Sequence, residues 1–259
     1  MPKFFFDDFS YSDLKPAIES HNERCSLLPT VSLECVDLGH WDQFYNLHEG
    51  KFFFPRAFLL CEFPELSSCE RVLECGFGNG SNLSALLKDS KAEVFGCEVS
   101  VSALNCVGRL PNFVDFVKSG RLKTFLWNLA LHHPPFELPV MDAVILFFVC
   151  SANLPQNQLQ MIKHAVSTLR VGGCVCFRDY AIGDVAQLRA PDAAILTPSS
   201  HVRPDGTLSY FFSVEEVTSL LEAGGLEVEE CTVHTVENKN RRSGISLKRA
   251  FIHAKGVRK

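Results

Sequence analysis

The chain has 259 residues, 46% of them hydrophobic, and a net charge of −5 at pH 7. This length and composition suit one domain with extensions around a well-filled core, and they exclude a disordered or low-complexity chain. No apolar run is long enough to span a membrane, and the segment Met1–Ser10 lacks the character of a signal or transit peptide. We therefore expect a cytoplasmic protein that contacts no membrane, with the nucleus as an alternative location.

The cysteines and histidines do not form a recognisable metal motif. Eleven cysteines are scattered among apolar neighbours, and none of them belongs to a C-x-x-C pair. Buried, reduced thiols account for this pattern better than zinc ligands or disulfides. His132 and His133 precede two prolines and have no metal-ligand partner at helical spacing. The sequence therefore predicts no metal site.

The first 66 residues differ in composition from the rest of the chain. Residues 1–38 mix acids, serine, proline and aromatics without a steady period, and we expect a partly ordered arm. Residues 39–66 are dense in aromatics and are predicted to be helical. They could simply pack on the core or cover a ligand, and we favour a lid that also packs.

The segment Arg71–Asn82 is typical of a strand, a tight turn and a helix. A short apolar run ends in an acid, alternating glycines follow, and leucines then recur at helical spacing. Glycines let the backbone turn sharply and let a ligand approach the main chain, and the helix start offers N–H groups to an anion. The acid and glycines are Glu74, Gly76, Gly78 and Gly80. Their E-x-G-x-G-x-G spacing differs from the dinucleotide fingerprint, and a plain tight loop is the alternative.

The segments that follow alternate between strand and helix, which predicts an α/β fold with a Rossmann-like, seven-stranded sheet. Glu98 ends the second strand, where nucleotide folds of this class bind ribose hydroxyls. Ser213 and Glu216 predict a capping box at the last helix. Residues 180–212 form an insertion, and long insertions are often functional. The predicted strands are Arg71–Cys75, Glu93–Glu98, Arg121–Trp127, Asp142–Val149, Cys174–Asp179, Leu226–Val236 and Arg249–Lys255, with helices over Val101–Leu110 and Gln156–Leu169.

Basic residues are concentrated at the carboxyl end. Residues 239–259 contain eight lysines and arginines and no acid, so this segment carries +8 and residues 1–238 carry −13. A basic patch on an acidic body predicts contacts with phosphates. A solvated tail is the alternative.

Several separate stretches resemble known methyltransferases. The glycine motif looks like the first motif of class I S-adenosylmethionine (SAM) methyltransferases. Five other stretches, between about Gly39 and Lys255, resemble the methyltransferase-like tRNA 3-methylcytidine enzymes. These stretches are Trp41-Asp42-x-Phe44-Tyr45, the Phe52-Phe53…Arg56 segment ending in Glu62-Phe63, Phe148–Ala152, Phe177–Tyr180 and Val202–Phe212.

The resemblance implies a class I SAM-dependent fold over residues 39–259, with the last strand antiparallel. It also implies SAM as the cofactor and tRNA as the substrate, methylated at N3 of the cytidine that opens the anticodon loop, at position thirty-two. Some members of that family need a partner such as seryl-tRNA synthetase. Candidate cofactor contacts are Arg56, Glu74, Gly76, Gly78, Gly80, Asn82, Glu98, Asn128, Leu129 and Phe147.

Two positions depart from the family pattern. Asn128 stands where the family usually has an aspartate that accepts a hydrogen bond from the adenine amine. An asparagine carbonyl still accepts such a bond, although without the charge. Phe58 stands where the family typically has tryptophan.

The chemistry of cytosine suggests a role for Asp179. Cytosine N3 has a free lone pair at neutral pH, so its methylation needs positioning and stabilisation of the resulting cation rather than a general base. An acid that accepts from the cytosine amine would provide both, and Asp179 is the candidate. A salt bridge to Arg178 or Arg203 is its alternative role. Candidate substrate contacts are Arg178, Tyr180, Arg203, Tyr210, Arg241 and Arg242, with Phe211 and Phe212 as further residues that could stack on the base.

Two other functions remain open. The chain could methylate a small molecule or a protein, although the insertion 180–212 and the basic end favour RNA. It could also be a non-catalytic member that binds RNA or stabilises a partner, which the exchange at Asn128 allows.

Overall fold

The computed structural model describes residues 7–29, 39–48, 59–239, 244 and 246–259. The strands in this part of the chain are β1 (Arg71–Cys75), β2 (Glu93–Glu98), β3 (Leu122–Leu126), β4 (Met141–Phe147), β5 (Leu169–Tyr180), β6 (Ile195–Thr197), β7 (Ser200–Val202), β8 (Leu208–Tyr210), β9 (Leu226–Lys239) and β10 (Ser246–Arg258). The helices are α1 (Lys15–Ser26), α2 (Gly39–His48), α3 (Leu59–Glu62), α4 (Ser81–Asp89), α5 (Val101–Arg109), α6 (Pro111–Lys118), α7 (Pro155–Ser167), α8 (Val185–Leu188) and α9 (Val214–Ala223).

Seven strands form the main sheet in the order β3-β2-β1-β4-β5-β10-β9. The first five of these strands pair in parallel, and β10 runs antiparallel to both of its neighbours. The predicted seven-stranded sheet with an antiparallel last strand is therefore confirmed. The order of the strands reverses at β1, because β2 and β3 lie on one side of it and β4 and β5 on the other. In open α/β sheets, ligands bind in the crevice at the carboxyl ends of the strands at such a point.

Both faces of the sheet are covered, and successive residues of one strand therefore enter different cores. Val72 packs with α4 and α6 side chains, whereas Leu73 packs with α7 and α9 side chains on the opposite face. In β4, Ala143 packs in the same core as Val72 and Val144 in the same core as Leu73, and both are fully buried. This explains the continuous apolar runs, which are typical of strands buried on both faces.

Several predicted boundaries are confirmed and others are corrected. The bounds of β1 and β2 are as predicted, and the Ser213–Glu216 capping box is present. The predicted fourth strand ends early, because Phe148 adopts a φ of +59°. The helix predicted to reach Leu169 ends at Ser167, and Leu169 begins β5. Helix α6 was not predicted, since Pro111 begins a new helix rather than only closing α5.

The arm contains ordered structure that packs on the main sheet. Asp8 donates its N–H to Thr235 O at 3.0 Å, on the outer side of β9. The Tyr11 hydroxyl donates to Ile182 O at 2.8 Å, which joins the arm to the insertion. The insertion itself contains α8 and a three-stranded antiparallel sheet of β6, β7 and β8. In the parts of the chain that the structure describes, the longest helices fall short of the length and apolar character needed to cross a membrane.

Candidate active site

A cavity of about 480 Å³ opens at the carboxyl ends of β1, β4 and β5. The glycine turn forms one side of it, α2 closes over that side, and the insertion and β10 form the opposite side. A smaller cavity of about 80 Å³ continues past the end of β2. The larger cavity is lined by Trp41, Phe44, Tyr45, Glu74, Gly76, Phe77, Gly78, Asn79, Ser81, Asn82, Phe147, Phe148, Ser151, Ala152, Tyr180, Ala186, Arg203, Asp205, Arg249 and Phe251.

The glycine turn is too crowded for side chains. Gly78 has a φ of +57°, and a Cβ there would lie 2.5 Å from Tyr45 Oη. Gly76 also has a positive φ, and a Cβ on it would lie 2.6 Å from Val149 Cγ2. Both the backbone conformation and the space therefore require glycine. The contact with Tyr45 shows that α2 lies directly over the turn.

Glu74 and Asn82 form a buried pair at the floor of the cavity. Asn82 Nδ2 donates to Glu74 Oε1 at 2.8 Å, and both residues are only 3% exposed. Asn82 Oδ1 is buried and has no hydrogen-bond partner among the residues that the structure describes. A buried, unpaired oxygen costs free energy unless a donor reaches it. It therefore indicates that a ligand with a donor group binds here.

Glu98 holds the glycine turn and the start of α5 together. Its carboxylate accepts from the N–H groups of Gly78 at 3.2 Å, Val99 at 2.6 Å and Ser100 at 3.1 Å. Burial raises the pKa of Glu98, and the three N–H groups oppose this rise. Because each carboxylate oxygen has two acceptor sites, Glu98 retains capacity for a ligand hydroxyl.

The structure brings Asn128 and Leu129 to the same small cavity as Glu98. Asn128 Oδ1 accepts from the N–H of Ala130 at 3.1 Å, so the side-chain carbonyl is fixed in position. Leu129 is 5% exposed and belongs to the core cluster beneath the cavity. Their role as cofactor contacts stays a prediction. Arg56 and Phe58 lie outside the described residues.

Asp179 lies directly behind the cavity wall rather than in it. Its side chain is fully buried, and its two oxygens accept from the N–H groups of Ser151 and Tyr180, each at 2.9 Å. Burial raises the pKa of Asp179 to about 6, while the Ser151 and Tyr180 donors and the nearby Arg203 oppose the rise. The predicted alternative of a salt bridge to Arg178 is not what the structure shows, because Arg178 pairs with Glu62.

Tyr180 and two arginines form the wall opposite the glycine turn. Arg203 Nη2 donates to Tyr180 Oη at 3.2 Å, and Arg249 Nε lies 2.8 Å from Asp184 Oδ2. The guanidinium carbons of Arg203 and Arg249 are each 5.7 Å from the centroid of the Tyr180 ring. Phe148 packs on this ring from within the cavity, at a centroid distance of 4.9 Å. This wall is cationic and aromatic, a combination that suits nucleotides.

Some candidate substrate residues lie away from the cavity. The Tyr210 hydroxyl donates to Glu216 Oε1 at 2.8 Å, and burial together with this carboxylate raises the pKa of Tyr210. Phe211 and Phe212 are fully buried in the core. Arg178 is 4% exposed, beneath Phe251. Arg241 and Arg242 lie outside the part of the chain that the structure describes.

Among the residues that the structure describes, two clusters have the donor types of metal sites. Glu62 lies near His234 and His253, and Glu65 lies near Cys174 and Cys176. In each cluster a cationic side chain already pairs with the carboxylate, Arg178 with Glu62 and Lys255 with Glu65. Ion pairing therefore accounts for both clusters without a metal.

Several wall residues were not predicted as site residues, although Phe148, Ser151 and Asp205 stand in stretches that carry the family resemblance. Ser151, Asp205, Arg249 and Phe251 line the cavity together with Phe148. The alternation of side chains along β10 could have indicated Arg249 and Phe251, since Ala250, Ile252 and Ala254 are fully buried on the other face. Nothing in the sequence marks the positive φ of Phe148, which is the one such value outside glycine among the described residues.

Known proteins resemble this chain in sequence and in fold. The tRNA N(3)-methylcytidine methyltransferase Mettl2 of Drosophila melanogaster is 32% identical over 229 residues, which cover 83% of this chain and 69% of that protein. The tRNA N(3)-cytidine methyltransferase METTL6 of Rattus norvegicus is 33% identical over 228 residues, covering 83% of this chain and 77% of the relative. No protein-family model matches the chain. The resemblance drawn from the motifs is confirmed.

A solved structure supports the fold independently. A SAM-dependent methyltransferase from Anabaena variabilis superposes with a TM-score of 0.64 at 12% identity, over 90% of this chain and 99% of that one. At this identity the likeness speaks for the fold alone. It confirms the predicted class I fold.

Proposed function

The chain belongs to the tRNA N(3)-cytidine methyltransferase family, and we propose that it transfers a methyl group from SAM to N3 of a cytidine in tRNA. The observation that carries this proposal is the continuous cavity between the glycine turn and the wall of Tyr180, Arg203 and Arg249. One end has the features of a cofactor site, and the other has the charge and aromatic character of a nucleotide site. The cytidine at position thirty-two of the anticodon loop is the proposed target.

The residues at the glycine end fit SAM. The unpaired Asn82 Oδ1 matches a donor such as the amino group of the cofactor, and Glu98 can accept from ribose hydroxyls. Gly78 adds no side chain of its own to the turn, and the Tyr45 hydroxyl lies directly over it, so the main chain at the turn and Tyr45 together border the space for a ligand. Asn128 and Leu129 border the part of the cavity that an adenine would enter. When bound there, SAM supplies a methyl group carried on a sulfonium.

The protein has to position the cytosine and stabilise its charge. Cytosine N3 has a free lone pair at neutral pH, so no side chain needs to remove a proton. The methylated ring is a cation, and a nearby carboxylate stabilises it strongly where water is excluded. We assign this role to Asp179, which is ionised above a pH of about 6. Asp179 also accepts a hydrogen bond from the N–H of Ser151 and so fixes this residue in the cavity wall.

Asp205 offers a second carboxylate in the wall itself. Its Oδ1 accepts from the N–H of Thr207 at 3.0 Å and from the Thr207 hydroxyl at 2.6 Å, which fixes its orientation. Because Asp205 lines the cavity and Asp179 does not, Asp205 is the better placed of the two to accept directly from the cytosine amine. Asp179 would then act through its charge and through Ser151.

The proposal is tested by incubating the protein with SAM and total tRNA and analysing the nucleosides by mass spectrometry. We expect 3-methylcytidine, and none with the Gly78→Arg variant. A second reaction with seryl-tRNA synthetase tests the proposed protein partner, whose requirement would appear as product only in that reaction. If the protein binds SAM in calorimetry but forms 3-methylcytidine in neither reaction, the proposal is wrong. A different methylated nucleoside would indicate another RNA target, and no methylation at all would favour a non-catalytic role.

A further inference from the structure

Arg249 occupies a different place from the other basic residues of the carboxyl end. It lies on β10 in the wall of the cavity, and 22% of its side chain remains exposed. Its position in the sequence grouped it with the basic end 239–259, for which phosphate contacts were predicted and a solvated tail was the alternative. The structure instead gives it a fixed orientation beside Tyr180 and Phe251, with its guanidinium carbon 5.0 Å from the centroid of the Phe251 ring.

A buried carboxylate sets this orientation. Asp184 is 0% exposed, and its Oδ2 lies 2.8 Å from Arg249 Nε. Asp184 is itself held by main-chain donors, since Oδ1 accepts from Ala186 at 2.8 Å and Oδ2 from Ala250 at 3.0 Å. Burial alone would lower the pKa of Arg249, but Asp184 raises it above its ordinary value. The guanidinium is therefore a permanent charge on a rigid support.

The arginine has donors left for a ligand. A guanidinium carries five N–H donors in a planar fork, and its partners here are Asp184 at Nε and the Tyr180 side chain, so donors remain. Arg203 approaches the same tyrosine, and its Nη2 donates to Tyr180 Oη. Two guanidinium groups at one phenol ring favour an anion between or beside them. Phosphate is the anion whose geometry this fork matches best.

The charge of the reaction product indicates which part of the nucleotide lies here. A methylated cytosine is cationic, so a guanidinium in contact with the ring would oppose the reaction. A phosphate is negative and lies outside the base. We propose that Arg249, oriented by Asp184 and assisted by Arg203, binds a phosphate adjacent to the target cytidine. Asp184 acts through Arg249 and is a positioning residue. This inference rests on the proposed function, because it names a contact of the same RNA substrate.

The test is a cycle that pairs a protein change with an RNA change. The probe is a fluorescent anticodon stem-loop RNA, used in three forms. One form is unmodified, and in each of the other two the phosphate on the 5′ or the 3′ side of the target cytidine is replaced by a neutral methylphosphonate. Binding to the parent and to Arg249→Gln is measured by fluorescence polarisation in the presence of S-adenosylhomocysteine. A hydrogen-bonded charge pair predicts that one of the two replacements weakens binding to the parent about tenfold or more. The same replacement should have no effect on Arg249→Gln.

Two further variants make the cycle specific. Asp184→Asn should reproduce a large part of the loss, because the arginine keeps its charge but loses its orientation. Arg170→Gln is the matched control, since Arg170 also pairs with an aspartate, Asp142, but at the opposite end of β5. We expect Arg170→Gln to bind the unmodified RNA and the phosphonate RNAs with the same affinities as the parent. Thermal unfolding and SAM calorimetry establish that each variant is folded, and Arg249→Met, which keeps the length of the side chain without its charge, replaces Arg249→Gln if the latter is not.

The outcomes separate this inference from the proposed function. The inference is overturned if the parent does not bind the unmodified RNA, or if neither phosphonate weakens its binding. It is also overturned if the phosphonate weakens binding to Arg249→Gln by the same factor as it weakens binding to the parent. None of these measurements needs turnover. A protein that forms no 3-methylcytidine yet shows the coupled loss would retain the phosphate contact and disprove the proposed activity.

Discussion

Glu98 accepts a hydrogen bond from the main chain of Gly78 at 3.2 Å, so the acid predicted to bind ribose also supports the turn predicted to bind the rest of the cofactor. In the sequence the whole of α4 and most of β2 lie between the two residues. Their contact joins the carboxyl ends of the first two strands. A change at either residue therefore affects both functions at once.

The first prediction concerns this contact. Glu98→Ala should weaken SAM binding by about 3 kcal/mol or more, because at least two hydrogen bonds to a charged acceptor are lost. Gly78→Arg should abolish binding, since its side chain would collide with Tyr45. Calorimetric titration with SAM measures both, and circular dichroism establishes that the variants are folded. Unchanged affinity in a folded Glu98→Ala protein would remove Glu98 from the site.

The second prediction concerns Asn128. Asn128→Asp retains the acceptor that Ala130 uses and adds a charge, so SAM affinity should hold or improve. Asn128→Leu should weaken binding by about 1–3 kcal/mol, because buried donors lose their acceptor. The same calorimetric assay compares the two variants with the parent. If both variants bind like the parent, Asn128 does not meet the adenine.

The third prediction concerns the pH dependence of Asp179. Turnover should rise with pH through about 6 as this carboxyl ionises, and Asp179→Asn should lose that rise and turn over more slowly at pH 8. SAM and tRNA binding should be nearly unchanged, as expected for an interaction that acts mainly in the transition state. Initial rates across a pH series measure this, with Asp205→Asn as the comparison. A variant that loses SAM binding would make Asp179 a structural or cofactor residue.

The same group has a predictable effect on stability. The folded protein holds the proton of Asp179 up to a pH of about 6, whereas an unfolded chain releases it near pH 4. The folded state therefore binds more protons between these values, and the stability that Asp179 contributes at low pH is lost as the pH rises through this window. As the pH rises from 4 to 6, the melting temperature of the parent should fall relative to that of Asp179→Asn.

The fourth prediction concerns the basic end. Replacing Arg241, Arg242 and Lys248 together by alanine should weaken binding about equally across tRNA species, because phosphate contacts carry no base information. The dependence on salt should become shallower, by a slope of about 0.7 per lost contact on single strands. Filter binding over a salt series measures both effects. Superimposable curves for parent and variant would mean that the RNA enters elsewhere, with the insertion 180–212 as the next candidate.

Patterns along the chain could predict the strands and the cofactor half of the site. The apolar runs before Glu74 and Glu98 are short and sharply bounded, so β1 and β2 were predicted to the residue. The glycine spacing marked a turn whose crowding the structure then explains. These features depend on neighbours in the sequence, where periodicity and turn chemistry carry information.

The substrate half depends on contacts between distant parts of the chain, and the sequence says little about those. Arg178 was assigned to substrate, but Glu62 lies beside it in space and occupies its guanidinium. Tyr210 was assigned to stacking, but its hydroxyl meets Glu216. In each case the residue type was suited to RNA, and only the direction of the side chain decided otherwise. Arg249 shows the reverse case, since its direction places it in the cavity.

The attachment of the arm to β9 has a consequence for how the protein behaves when it is shortened. β9 is the last strand of the sheet, and its outer main-chain groups would otherwise be open to pairing. Asp8 covers part of this edge through its N–H and through its carboxylate, which accepts from Glu237 N at 2.8 Å. An uncovered edge strand is a template for joining another molecule. A chain that begins at Gly39 would keep the catalytic cavity, yet we expect it to self-associate through β9 and to precipitate at concentrations that the full chain tolerates.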